Sequence, residues 1–409
     1  IKNAISVPNG ANDNDDVWEN SKAYLEDVEK FYIASDCDTK GNDLSDKIAQ
    51  RLGRWRCERI EFEGKDANED LISGVLETSI NNRKRYPVNG TFTVEDLYDD
   101  ILKLYDNGLP ETIYPKRNWF GDLKKVFSVM RGHLIVGTGI PSHGKSNFTD
   151  WYTLNLINDY NMKASWFSPE HHPMSLHQTN FIQKFYGRPF FSDSDGVSKV
   201  SKGDILKYKD WANERIYLTG ADGNETPTWS WLIDKFKEQM YAFGIDIFVI
   251  DAFNKVLFDG KGNRLEQINE VLTKLTSFAQ RNNVIIFLVA HPTKMQKNEK
   301  GVYNCPTLYD VSGSADFRNQ THDGFSIYRY FGDDQGVEDG TEFINMKTKF
   351  GFQGEIGGKV SFNYHKPSGR YFAKGFMGDE TQCLIDMEEK ELPKQDPTDD
   401  IWDDNEVPF

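Results

Sequence analysis

HLIVGTGIPSHGKSNFTDW, residues 133 to 151, is the stretch whose reading decides the fold. An apolar run from His133 to Gly137 leads into Gly139-Ile-Pro-Ser-His-Gly144-Lys145-Ser146, and a helical sequence begins at once. These residues satisfy G-x-x-x-x-G-K-[ST] in the strand–turn–helix setting that gives the pattern its meaning. Gly139 and Gly144 let backbone N–H groups turn inward around a phosphate, and the helix N-terminus adds a favourable dipole. In such a loop Lys145 reaches the β and γ phosphates, and Ser146 ligates Mg2+. The implied ligand is a nucleoside triphosphate with its metal.

Outward from this loop the chain alternates short apolar strands with helical stretches: Lys163 to Phe167, Asp246 to Ile250 and Val284 to Ala290. Together with the first run these predict a mostly parallel α/β sheet. Three later segments, Phe325 to Tyr330, Phe343 to Lys347 and Val360 to Tyr364, read as a β-rich flank of hairpins. A phosphate loop needs a second metal anchor at a neighbouring strand end, and Asp251 after IFVI supplies it. Glu170 in SWFSPEHHP follows another strand and is the expected group to orient or deprotonate water. His291 ends VIIFLVA at the same sheet edge, where a neutral imidazole would hydrogen-bond the γ-phosphate and report its loss. Beyond it, Lys294, Lys297 and Lys300 lie in a loop suited to gripping a nucleic-acid backbone.

The whole chain, 409 residues at a formal charge of −16, is not a globally basic nucleic-acid binder. The acidity sits at the ends: residues 1 to 111 carry −10, residues 112 to 385 carry +2, and residues 386 to 409 carry −8. A polyanionic partner belongs with the central segment. Four dispersed cysteines, Cys37, Cys57, Cys305 and Cys383, include no C-x-x-C pair, which excludes a zinc ribbon or disulfide framework and indicates a reducing compartment. No apolar run approaches the ~18 residues of a membrane span. No signal or transit-like stretch follows Ile1, so the chain reads as a fragment of something longer, cytoplasmic in a bacterial or phage-infected cell.

Before the phosphate loop, FYIAS (31 to 35), a helix from Leu44 to Leu52 and a strand from Arg59 to Phe62 predict a βαβ unit. A short amphipathic helix from Val94 to Asn107 has Leu97, Ile101, Leu104 and Tyr105 on one face, with Thr93 and Asp96 placed to cap it. After Ile385 the sequence is too acidic and proline-broken to pack.

In this order the motifs resemble those of the ring-shaped, DnaB-like replicative helicases, most closely the phage primase-helicase and Twinkle-like members in which a Toprim domain precedes a RecA-like motor. The resemblance rests on GIPSHGKS, SPEHH, FVIDAF, FLVAHPTK, VSGSADFRNQTHD, MKTKFGFQGEIGG and NYHKPSGRYF, and spans roughly residues 112 to 375. It implies a partial Toprim domain over 1–88, a linker with its helix over 89–118, a RecA-like P-loop ATPase over 119–385 and an acidic tail over 386–409. It further implies a homo-hexamer that uses ATP or dTTP, with Mg2+, to move 5′ to 3′ on single-stranded DNA during replication. The runner-up readings are a RecA-like recombination ATPase, a ring or loading scaffold that binds nucleotide without unwinding, and a primase-helicase whose priming half is truncated.

The resemblance also assigns single residues. In the basic motif the family's arginine finger is replaced by lysine, and Lys347 and Lys349 are expected to act in trans, in the K-x-K spacing of the RecA recombinases. A lysine is a point charge and lacks the bidentate fork. Gln320, or Asn319, stands for the glutamine of the Gly-Ser motif. SVPNGA, Asp36 and Asp38, and KDANE (Lys65 to Glu69) match the C-terminal Toprim half, where carboxylates hold Mg2+. The family's metal-binding glutamate would precede Ile1, so this fragment is not expected to prime. The linker helix would dock on a neighbouring subunit, and the tail ending in Phe409 on polymerases or other replication proteins.

Overall fold

The computed structural model describes residues 3–6, 15–88, 90–222, 225–260, 262–293, 295, 297, 299, 301–311, 315–331 and 340–385. The tail from residue 386, with Phe409, lies outside the described residues, as do Lys294 and Lys300. The chain divides into two compact units, Ile1–Gly108 and Leu109–Phe409.

In the first unit, β1 (Phe31–Ala34) and β2 (Cys57–Ile60) are parallel and joined by the helix Thr39–Leu52. This is the expected βαβ unit, with its second strand slightly earlier in the chain. Ile48, Ala49 and Leu52 lie on one side of the helix and bury against Ile33 and Cys57. β3 (Lys84–Arg85) adds antiparallel to β2. The helix predicted from Val94 begins a turn later, at Tyr98–Asn107. Thr93 and Asp96 explain the delay: the Thr93 N–H and hydroxyl donate to Asp96 Oδ2 at 2.7 and 2.8 Å, closing a turn ahead of the helix. No residue of the helix is buried, and Leu97, Ile101, Leu104 and Tyr105 stay exposed.

The second unit is built on β4 (Leu134–Gly139), β5 (Ala164–Phe167), β6 (Ile216–Thr219), β7 (Ile247–Asp251), β8 (Ile285–Val289), β9 (Asp323–Tyr330), β10 (Gly340–Lys347), β11 (Lys359–His365) and β12 (Arg370–Ala373). They form one sheet in the order β12-β11-β10-β9-β4-β8-β7-β5-β6. The run from β9 to β6 is parallel, and β10, β11 and β12 continue it antiparallel. Successive side chains of the central strands enter opposite cores. Ile135, Val249 and Phe287 pack with helices Lys145–Tyr160 and Met174–Tyr186 on one face. Val136, Ile250 and Leu288 pack with helices Trp229–Phe243 and Arg264–Asn282 on the other. Strands covered on both faces must be apolar throughout, which is why these runs stood out in the sequence.

Three expectations are corrected. β9 is no mere hairpin arm, because it pairs in parallel with β4 as well as antiparallel with β10. β6 and β12 were not anticipated: the first is a four-residue edge strand, and the second carries Arg370. That arginine is fully buried, stacked on Trp119 and Trp151 with its guanidinium donating to the carbonyls of Lys184, Phe185, Glu380 and Gln382. Residues 109–118 of the expected linker fold with the second unit, where Ile113 and Val129 exchange two backbone hydrogen bonds of 2.8 Å. Among the described residues no helix is long and apolar enough to cross a membrane.

Candidate active site

The C-terminal ends of β4, β5, β7 and β8 meet along one edge, the position where open parallel sheets bind ligands. There a cleft of about 630 Å3 is lined by Gly144, Lys145, Ser146, Asp150, Glu170, His171, Asn180, Asn254 and His291, among others. The loop leaving β4 owes its shape to backbone that only some residues adopt. Gly144 has φ +88°, and a Cβ there would lie 2.1 Å from the Tyr371 hydroxyl, which donates to the Gly144 carbonyl at 3.2 Å. The loop is thus closed from behind by β12. His143 braces it too, accepting the Arg329 N–H at Nδ1 over 2.9 Å.

Lys145 begins the helix and is only 4% exposed; burial pushes its amine down, while Asp251 and Glu170 oppose that shift. Asp251 ends β7, also buried, and is pushed up to about 6 by burial, with Asp150 and Glu170 adding to the rise and the Ser146 hydrogen bond and Lys145 working against it. Its Oδ1 is buried with no hydrogen-bond partner. A buried carboxylate oxygen without a donor is costly unless a cation completes it. The Ser146 hydroxyl beside that carboxyl group would give a divalent cation such as Mg2+ a pair of protein anchors.

Glu170 follows β5 and is partly exposed. Its Oε1 lies 3.3 Å from the Lys255 ammonium and 4.0 Å from His291 Nε2. His291 is lowered from its ordinary value by burial and then by Lys145, so the neutral ring prevails at pH 7, and its Nδ1 is buried without a partner. His171 does not enter a metal cluster, since its Nδ1 bonds the Ser168 hydroxyl at 2.7 Å and its ring stacks on His177.

The remaining expected residues are more scattered. Lys297 is exposed, bridged to Tyr303 with its amine over that ring. Gln320 does not line the cleft; its amide contacts Asn269 Oδ1 at 3.4 Å across from helix Arg264–Asn282. Asn319 is exposed. Lys349 is also exposed, and its backbone N–H is fixed by Asp323 Oδ1 at 3.0 Å. Lys347 departs from the expected trans pair: its ammonium is half-buried and donates to the Arg318 and Thr321 carbonyls of its own chain. A cation already satisfied by two carbonyls serves as a brace within its own chain. In the first unit Asp38 Oδ1 accepts the Gly41 N–H at 2.8 Å as a helix cap, and Asp36 is exposed. Among the described residues no three His, Cys, Asp or Glu gather to hold a metal.

Sequence reasoning missed Asp150, Asn254 and Lys255. The last two closely follow the Asp251 strand end, a position that would have flagged them. Asp150 was hidden inside the apolar-looking helix after the loop, where it accepts from Trp166 Nε1 at 3.0 Å and pairs with His177 at 3.1 Å.

Fold and site define a P-loop NTPase with a RecA-like sheet. No protein-family model matches the chain. In sequence it is 29% identical over 397 residues to the chloroplastic/mitochondrial Twinkle homolog protein of Arabidopsis thaliana, covering 90% of this chain and 55% of that one. A Primase homolog protein of the same plant is 32% identical over 111 residues, 21% of this chain and 33% of its own length. The chain therefore spans about half of the first relative. In fold it matches a protein solved as an ATPase domain (TM-score 0.53, 15% identity, 69% of this chain and 99% of that one). It also matches a DnaB-like replicative helicase solved for its interactions with primase (TM-score 0.53, 16% identity, 82% and 78%). The chain is thus similar in sequence to a Twinkle homolog and shares the fold of an ATPase domain found in DnaB-like helicases.

Proposed function

We propose that the second unit is the motor of a ring-forming replicative DNA helicase that hydrolyses ATP or dTTP and moves 5′ to 3′ on single-stranded DNA. The observation that carries this reading is the convergence of Lys145, Ser146, Glu170 and His291 on one cleft, with Asp251 bonded to Ser146 at its edge and Asp251 Oδ1 and His291 Nδ1 buried and unbonded. Lys145 and the loop N–H groups hold the phosphates, Ser146 and Asp251 hold Mg2+, and Glu170 aligns the attacking water. When bound, the metal neutralises charge on the phosphates. His291, neutral at its strand end, hydrogen-bonds the γ-phosphate and passes its loss to the loop carrying Lys297.

Hexamers suit a site whose finger comes from a neighbour, and Lys349 is the exposed cation available for that role. Lys349→Ala should keep nucleotide binding and slow turnover by about 100-fold, the scale of one lost transition-state donor. Mixed rings of Lys349→Ala and Glu170→Gln chains should regain activity, because some interfaces then pair an intact Lys349 with an intact Glu170. No recovery on mixing would place Lys349 outside the neighbour's site. The exposed face of helix Tyr98–Asn107 would dock on the adjacent subunit, so removing residues 1 to 111 should convert hexamers to monomers. Light scattering that still shows rings would refute this.

We read the first unit as the remnant of a Toprim domain without priming chemistry of its own, Asp38 being engaged as a helix cap. The partial likeness to a primase homolog supports that origin. The acidic tail to Phe409 is proposed to dock on a polymerase or another replication protein, in the reducing cytoplasm of a bacterial or phage-infected cell. The deciding experiment joins DNA-stimulated NTP hydrolysis to strand displacement on 5′-tailed and 3′-tailed forks. Unwinding confined to the 5′-tailed fork supports the helicase. Stimulated hydrolysis with filaments and no displacement favours the recombination ATPase instead.

A further inference from the structure

The chain from Pro169 to Leu176, which follows β5, is exposed at every residue except His171. Glu170 stands in that stretch, so its place at the cleft depends on how its half-buried neighbour is held. The His171 N–H donates to the Ser168 carbonyl at 3.0 Å and its Nδ1 meets the Ser168 hydroxyl at 2.7 Å, which closes a tight turn around Glu170. The ring of His171 lies on that of His177, with centroids 4.3 Å apart and planes 20° from parallel. His177 is buried in helix Met174–Tyr186, where Phe181 packs against its ring at 4.3 Å and its Nε2 pairs with Asp150 Oδ2 at 3.1 Å. Asp150 is fixed in turn, because its Oδ1 accepts from Trp166 Nε1 on β5 at 3.0 Å. Burial raises the Asp150 carboxyl, but His177, Lys184 and His171 together bring it below its ordinary value, so His177 faces a carboxylate. Asp150 belongs to the helix that starts at Lys145 and lies about one turn beyond Ser146. One run of contacts, Asp150 to His177 to His171, therefore ties the helix carrying Lys145 and Ser146 to the turn carrying Glu170.

We propose that His177 is a positioning residue for Glu170: anchored by Asp150, its ring is the platform on which His171 rests, and this sets where the Glu170 carboxylate stands relative to Lys145 and Ser146. The proposal rests on the reading of Glu170 as the water-aligning group. The physical logic is registry. Lys145 and Ser146 lie on the helix after β4, whereas Glu170 follows β5, and a displacement of about 1 Å between reacting groups costs about 100-fold in rate. An exposed turn keeps such registry only if one of its residues is fastened to the scaffold. The contacts of Glu170 itself, with Lys255 at 3.3 Å and His291 at 4.0 Å, are partly exposed and hold it weakly.

The test is steady-state hydrolysis by the full chain for His177→Gln, His171→Ala, their double variant and His171→Phe, beside equilibrium nucleotide binding and thermal midpoints. Glutamine keeps a donor for Asp150 but offers no ring, so His177→Gln should lower kcat by about 10- to 100-fold, with KM and nucleotide affinity as in the parent. His171→Ala should do the same. The double variant should be no slower than the slower single, because both changes remove one stack. His171→Phe restores a ring on His177 and should recover most of the lost turnover, which a bracing role in stability alone would not require. Unchanged kcat in His177→Gln and His171→Ala, losses that multiply in the double variant, or no recovery in His171→Phe overturns the proposal. A rise in KM with kcat unchanged overturns it too, since His171 would then be a nucleotide contact. Should His177→Gln fail to fold, the two His171 variants decide the matter, because that side chain is half-buried in an exposed turn. A Glu170→Gln control separates the two levels. If that variant is inactive while the His177 and His171 variants turn over as the parent does, only the positioning role fails. If Glu170→Gln turns over normally, the reading of the site fails and the positioning role falls with it.

Discussion

Lys145→Ala should abolish nucleotide hydrolysis, lowering turnover by about 1,000-fold or more, without loosening the protein itself. Both halves of this expectation come from the burial of the amine. Lys145 is 4% exposed, and the desolvation that pushes its amine down is carried by the folded chain for the sake of a phosphate ligand. Removing the ammonium relieves that desolvation, so the thermal midpoint without nucleotide should stay level or rise. Its loss strips the site of the charge that meets the β and γ phosphates as negative charge moves between them, an effect worth about 100- to 1,000-fold for one preorganised donor, with the loss of ground-state binding added to it. The measurement pairs hydrolysis with a thermal shift. Nucleotide at about 100 times its dissociation constant stabilises the parent by about 2.7 kcal/mol, and that shift should vanish in the variant. A variant that keeps the shift and the rate would show that the loop is an ordinary glycine-rich turn.

Glu170→Gln should separate binding from chemistry. The amide keeps the volume and one acceptor oxygen of the carboxylate but cannot take a proton, so turnover should fall by about 100- to 10,000-fold, the range for loss of a general base. Nucleotide binding should be retained or tightened, because one negative charge leaves the side of the cleft that faces the γ-phosphate. The ion pair with Lys255 is lost as well, but it is partly exposed and its removal carries little stability. Rapid-quench single turnovers beside equilibrium binding would read both quantities. Turnover equal to the parent would favour a nucleotide-binding scaffold that does not unwind DNA.

Much of the second unit is legible in the sequence. The runs at β4, β5, β7 and β8 declare themselves because strands buried on both faces are apolar at every position, and Asp251 and His291 declare themselves as the first polar residues after such runs. β6 was not legible because Ile216–Thr219 is a four-residue edge strand whose burial depends on β5 beside it. β12 was hidden by Arg370, a residue that reads as surface and is buried only because four carbonyls and two tryptophan rings converge on it. In the basic motif, K-x-K spacing made Lys347 and Lys349 look equivalent. The structure separates them: the first is fastened to Arg318 and Thr321, and the second is exposed.

What the amino-acid sequence determined by itself is what contiguous residues control: the phosphate loop, the strand that feeds it, the helix that follows, and the polar residue that ends each buried run. These depend on local sterics and on one-residue alternation, which a few neighbours in the chain suffice to impose. What only the tertiary structure decided is which strand ends become neighbours. The closure of Tyr371 over Gly144, 227 residues away in the chain, is one case, and the meeting of Lys255 with Glu170 is another. Both depend on the order and register of a nine-stranded sheet. That order is set by the joint packing of both cores, a collective property that no local pattern of residues encodes.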